Sequence, residues 1–154
     1  MSNNEQNTEV LNDLIQINND RIKGYQNAIE ELKDENNDLR TVFTEMISQS
    51  EGIKSDLVNE VKVLGEEAAS GTTTSGKIYR AWMDVKAVFT GHDREAILNN
   101  CHNGEDAAQK AYQSALDTDG LSADVNVLIA KQKQELKVSH DAIKIMMKGA
   151  KAID

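Results

Sequence analysis

Proline is absent from all 154 residues, and cysteine occurs once, at Cys101. A proline inside a helix removes a donor and clashes with the preceding turn, at a cost of about 3 kcal/mol. Its absence leaves long unbroken helices open to this chain, and a single cysteine excludes an internal disulfide. Aromatic residues make up only 4%, so a core must be aliphatic and alanine-rich, built from narrow helix seams. Positive charge is also short: 17 Lys and Arg against 26 Asp and Glu give a net charge of −9. A diffuse acidic surface repels phosphate backbones and anionic lipid, which argues against nucleic acid and membrane surfaces as partners. No apolar run approaches transmembrane length, and Met1 to Asn7 shows neither a basic nor an apolar leader region. The expected location is the cytoplasm.

What is present is helical periodicity. A first helix is expected from about Thr8 to Lys33, with Leu11, Ile15, Ile22, Ile29 and Leu32 in an inward seam and Asn18 and Tyr25 in the same register. Asp34 to Asn37 forms a polar turn, with Asn36 or Asn37 as N-cap of a second helix. That helix runs from about Asp38 to Leu64 on Leu39, Phe43, Met46, Ile53 and Leu57, with Ser50 interrupting the seam and Gln49 beside it. Residues 65–76 are glycine- and threonine-rich, with little to bury. A short amphipathic helix follows, from Lys77 to about Thr90, with Ile78, Trp82, Val85 and Phe89 on one side. Asp93 reads as the N-cap of a helix from Arg94 to Leu116, and a last helix starts near Ser122 on Val125, Ile129, Leu136, Ile143 and Met147.

Two tight hairpins separated by a crossover of about residues 65–92 give an all-α chain with ferritin-like four-helix-bundle connectivity. The two antiparallel hairpins are joined by a long crossover that contains the short extra helix. The expectation is a single domain over residues 1–154, with 1–7 frayed or disordered.

Such bundles commonly hold two metal ions on inward Glu residues and Glu-x-x-His pairs, yet this chain has no Glu-x-x-His. Phe89, Asn99 and Lys137 stand three residues before His92, His102 and His140. Nor is there a phosphate-binding loop or a nucleophile elbow. The inward polar residues instead suggest one mid-bundle layer holding Tyr25, Gln49, Ser50, Glu105 and Gln132. Glu135 borders it, and His140 lies one position off the seam. As a metal site for iron, manganese or zinc the candidates are Glu105, Glu135, His140, Gln132, Tyr25 and Gln49. Tyrosine and amides are poor replacements for carboxylates there. Read structurally, the layer fixes helix register by hydrogen bonding, with Arg21, Tyr25 or Gln132 as donors to Glu105. His102 is spaced to grip zinc with Glu105 or Asp106, but the seam turns it outward, where binding is adventitious. Cys101, in the apolar seam, reads as a small buried hydrophobe.

Several strings carry a resemblance: Leu11 to Tyr25, Arg80 to Lys86, Gly104 to Ala108 with Tyr112, and Gln132 with His140-Asp141. Together they resemble an uncharacterised bacterial family, a domain of unknown function described as a ferritin-like four-helix bundle, similar in outline to rubrerythrin-type domains. The resemblance spans about Thr8 to Lys148 and implies a fold and a bacterial source, not an activity. It also implies acidic residues where Gln26 and His102 stand, which weakens a metal site further. The resulting expectation is a non-catalytic cytoplasmic helical-bundle protein that self-associates as a homodimer or binds a protein partner through the crossover helix near Trp82. The alternative is a ferritin-like metal-binding protein or oxidoreductase of stress or metal handling with a degenerate site.

Overall fold

A computed structural model describes residues 3–70, 75–85 and 91–153. Five helices make up the fold: α1 (Asn3–Glu31), α2 (Asn37–Val63), α3 (Lys77–Val85), α4 (Arg94–Leu116) and α5 (Ala123–Ile153). No strand occurs among the described residues, and no described helix is long and apolar enough to cross a membrane.

Side-chain hydrogen bonds fix the directions of the four long helices. On α1 and α2, Asn4 bonds to the Leu64 carbonyl, Asn18 to Ser50 and Arg21 to the Met46 carbonyl, so one number falls as the other rises. On α4 and α5, Asp106 meets His140 and Tyr112 meets Gln132. Across the hairpins, Asn18 bonds to Tyr112 and Arg21 to Glu105, while Gln49 meets Ser139. Each long helix is thus antiparallel to both of its bonded neighbours. Because α2 and α4 then run the same way, the chain must return along their length between them. On that return, α3 lies against α1 and α4.

Local signals act as the residues dictate. Asp93 accepts a hydrogen bond from the Ala96 N–H at 2.7 Å, an N-cap at the expected position. Ser122 accepts from Val125 N–H at the start of α5. Gly120, between α4 and α5, has φ +84°, a conformation that costs a glycine little. Asn36 occupies the N-cap position of α2 but makes no cap bond. Its carboxamide oxygen instead accepts from Arg94, which also grips Asp38, so this residue ties α2 to α4.

Helix α1 departs from its sequence pattern in two ways. It begins at Asn3, ahead of the expected start at Thr8, because polar side chains in this turn have distant partners. Asn7 is buried, donating to the Gly120 carbonyl and accepting from Ser122 N–H. It also has two buried faces: Val10, Leu14 and Ile17 join the core, whereas Ile22, expected inward, is only half-buried. The second face exists because α3 covers it.

The docking of α3 uses residues the periodicity does not single out. Asp13 accepts from Gly76 N–H at 2.9 Å and Tyr79 N–H at 3.0 Å, capping α3 from the side of α1. Seven residues on, Asp20 accepts from the Tyr79 hydroxyl and the Trp82 indole N–H. A Cβ at Gly76 would sit 2.5 Å from Asp13 Oδ2 and 2.7 Å from the Glu9 side chain, so any larger residue there must displace the capping carboxylate. Trp82 and Ile78 are buried in the α1 core. Ile78 and Trp82, of the apolar stripe expected on α3, are therefore spent within the chain. Phe89, expected on the same stripe, lies outside the described residues.

The apolar core is divided. One cluster gathers Leu11, Leu14, Leu57, Tyr112, Ile129 and Leu136, and the other gathers Tyr25, Leu39, Phe43, Ile97, Leu98 and Ile143. Between them lie buried polar groups from all four long helices.

Candidate functional site

The centre of the layer is Glu105 on α4, 2% exposed. Its Oε1 accepts from Arg21 Nε at 3.1 Å, from Arg21 Nη2 at 2.8 Å and from the Tyr25 hydroxyl through a short bond. Its Oε2 is buried with no hydrogen-bond partner among the described residues. Arg21 turns its remaining edge to α2, donating to Ser50 Oγ at 2.7 Å and the Met46 carbonyl at 3.2 Å. Burial pulls the Arg21 pKa down, but the Glu105 charge and hydrogen bond, joined by Tyr25 and Tyr112, together outweigh it and leave it raised. Burial, reinforced by the same carboxylate, pushes Tyr25 well above the ordinary phenol value. Arg21 is therefore a fixed cation and Tyr25 a neutral donor.

A second run of bonds carries the network to α5. Ser50 donates to Asn18 Oδ1, Asn18 Nδ2 donates to the Tyr112 hydroxyl, and Tyr112 donates to Gln132 Oε1 at 2.9 Å. Gln132 Nε2 closes the run on the Ile53 carbonyl. Every long helix contributes, so sliding one helix along another would break several buried bonds together. Such a network specifies register.

The expected metal candidates are thus only partly assembled. Tyr25 and Glu105 are together, and Gln132 reaches them only through Tyr112, Asn18, Ser50 and Arg21. Gln49 bonds to Ser139 and to the Glu135 carbonyl, apart from Glu105. The Glu135 carboxylate lies out at the surface with Lys131. The buried carboxylates among the described residues are Asp13 and Glu105. Asp13 is occupied by the α3 backbone and Glu105 by a guanidinium. This donor set does not fit a dinuclear ferritin-type centre, which needs about four carboxylates and two imidazoles.

Beside Glu105, a cleft of about 330 Å³ opens between α1, α3 and α4, with Asp20, Tyr25, Trp82, Cys101 and Gly104 among its walls. Cys101 is buried there, and burial together with Glu105 pushes its thiol far above the ordinary value. It is a packed hydrophobe, not a nucleophile.

His140 belongs to a different constellation. Its Nε2 is 2.5 Å from Asp106 Oδ1, its Nδ1 is 3.0 Å from Asp141 Oδ1, and its ring centroid is 5.2 Å from that of His102. Burial pulls the His140 pKa down, but its bonds to Asp141 and Asp106 outweigh this and raise it. The seam assignment missed His102 as a neighbour of His140. Both sit at the boundary where α4 meets α5, half-sheltered, and a seam analysis sorts residues only into inward and outward. The His102-x-x-x-Asp106 spacing was the available signal.

The profile of a domain of unknown function (DUF2383) matches residues 6–118 of the chain. No curated protein and no solved structure matches it at a significant level.

Proposed function

This chain belongs to the DUF2383 family, which carries no assigned activity, and from its geometry we propose a non-catalytic, ferritin-like bundle protein of the bacterial cytoplasm that works by binding another protein. The observation that carries this reading is Arg21, whose guanidinium sits on the single carboxylate in the mid-bundle layer. An arginine cannot be deprotonated to make way for a metal. The antiparallel neighbours and the long return between α2 and α4 support ferritin-like connectivity.

The surface supports a partner on α5. Val127, Val138 and Ile145 are 69%, 63% and 71% exposed, and separations of eleven and seven residues place them in one stripe along the helix. Helix α5 carries six lysines against three carboxylates, a positive surplus in a chain of net charge −9. Lys137 and Lys144 immediately precede Val138 and Ile145 and line one flank. An apolar stripe with a basic flank fits an acidic amphipathic helix of another protein better than a second copy of α5.

Two measurements test the proposal. Untagged protein challenged with iron or manganese should retain neither at stoichiometric level and show no ferroxidase activity. Stoichiometric iron lost in Glu105→Gln would overturn the non-catalytic reading. In capture from a bacterial lysate, an acidic partner should be held by the wild type at low salt. It should be released at roughly 0.5 M salt, where the screening length is only a few ångströms, and be missing with Val138→Glu/Ile145→Glu. Equal capture by both baits, or a salt-insensitive homodimer in sedimentation, would overturn the surface assignment.

A further inference from the structure

We infer that His102, Asp106 and His140 form a binding site for a single zinc-class transition-metal ion at the α4–α5 seam, independent of the interior layer. His102 and Asp106 lie one turn apart on α4, and His140 faces them from α5. One ligand atom from each can be chosen so that all three lie within 4.8 Å of one another. Zinc bonded at about 2.0–2.1 Å to nitrogen and oxygen in a tetrahedron holds its ligands about 3.4 Å apart. The observed separations bracket that value: 2.5 Å from His140 Nε2 to Asp106 Oδ1, and 3.8 Å from His102 Nδ1 to Asp106 Oδ2. Seating one ion would lengthen the first of these separations and shorten the second, by rotation of the imidazoles and the carboxylate.

The surroundings match what a metal-bound imidazole requires. Asp141 Oδ1 lies 3.0 Å from His140 Nδ1, an acceptor that keeps a proton on that nitrogen when Nε2, 2.5 Å from Asp106 Oδ1 and sharing a proton with it in the metal-free site, gives that proton up to bind the ion. Lys137 in turn holds Asp141 at 2.9 Å. The imidazoles are 16% and 15% exposed and the Asp106 side chain 45%, so the protein shields one side and leaves the other to solvent. Three protein ligands with an open solvent position suit an ion that accepts two imidazoles and a carboxylate. Magnesium and calcium, which prefer all-oxygen shells, suit it poorly. The ion would bridge α4 and α5, adding a cross-link near the basic flank proposed for a partner.

The test uses the full untagged chain and zinc itself, in competition with a chromophoric chelator, with cobalt as a spectroscopic probe. Expected are one zinc per chain, a visible cobalt band of four-coordinate intensity, and loss of both in His102→Ala and in His140→Ala. Asp141→Asn should weaken binding about 10- to 100-fold by misorienting His140. Glu105→Gln should bind as the wild type does, which separates this site from any interior one. Circular dichroism of each variant confirms that loss of binding is not loss of fold. Failure to bind zinc at micromolar concentration, or binding that survives both histidine variants, would overturn the inference.

Discussion

The Arg21–Glu105 pair allows a double-mutant cycle whose outcome depends on burial. Both side chains are nearly sealed from solvent, 5% and 1% exposed, so truncating either leaves the other charge uncompensated. Removing one partner of such a pair costs roughly 3–5 kcal/mol, whereas replacing both by apolar groups is often nearly neutral. Arg21→Met strands the Glu105 carboxylate with only the Tyr25 hydroxyl. Glu105→Leu strands the guanidinium with Ser50 and the Met46 carbonyl. In the double variant the charges are gone, and the chief residual loss is an acceptor for Tyr25, about 1–2 kcal/mol for one unsatisfied buried hydroxyl. The coupling energy should therefore be at least about 3 kcal/mol, well beyond the ~0.5 kcal/mol expected of independent sites. Urea unfolding of all four proteins at pH 7, with sucrose common to each to keep the single variants folded, measures it. Single losses below ~1 kcal/mol, or additivity within ~0.5 kcal/mol, would refute the claim that this layer is a sealed, charge-paired network.

Asp13→Ala removes both acceptors that cap α3 from α1 and should cost roughly 1–2 kcal/mol, read as a lower urea midpoint with Trp82 fluorescence shifted toward that of exposed indole. An unchanged Trp82 spectrum would mean that apolar packing alone seats α3. Cys101, with its thiol pushed far above the ordinary value by burial, should react with a disulfide reagent at pH 8 at least about 100-fold more slowly than in urea; comparable rates would contradict its burial. The Arg94 bonds hold the Asp38 carboxyl below its ordinary value, so the stability this pair adds is present above about pH 4 and lost as pH falls through the lowered value. Asp38 is largely exposed and Arg94 about a third so, so the ion pair should contribute no more than roughly 0.5–1 kcal/mol at pH 7, and that part of the Arg94→Met penalty should fade as acid protonates Asp38. The remainder, from the lost Asn36 bond and packing, should persist in acid, and a penalty that does not change with pH at all would contradict the Asp38 pairing.

The long helices were legible because burial leaves a periodic trace. The span from Arg94 to Leu116 and the Asp93 cap follow from the seam through Ile97, Cys101, Ala108 and Ala115, and the structure has the same bounds. The buried Glu105 was legible too, as one acidic residue in an apolar row. Less legible was any residue whose partner lies far along the chain. Asp13 and Asp20 sit beside the α1 seam and read as solvated until α3 is laid over them. Nothing in the local pattern around Lys77 to Val85 says which face of which helix it covers. The same limit hid the meeting of His102 with His140. Their sequence separation is 38 residues, and both lie at the seam edge, where a slight rotation of either helix decides between contact and solvent.

The polar layer raises the question of why a chain so short of aromatic residues should interrupt its core. An Ala- and Leu-rich seam is permissive: aliphatic side chains of similar size pack nearly as well after a helix slides by one turn. Here the two apolar clusters are joined by a layer in which Arg21 must meet Glu105 and Ser50, and Tyr112 must meet both Asn18 and Gln132. A slip of one turn would leave at least one buried charge unpaired. That penalty exceeds any difference in aliphatic packing. The layer thus converts a forgiving core into a single register, and that register sets which groups face each other across α4 and α5. The separation of His140 from Asp106 and His102 is therefore determined partly by Tyr112 and Gln132, two turns away. A Gln132→Leu variant that loosened zinc affinity without touching a ligand would be direct evidence that interior order sets the surface site.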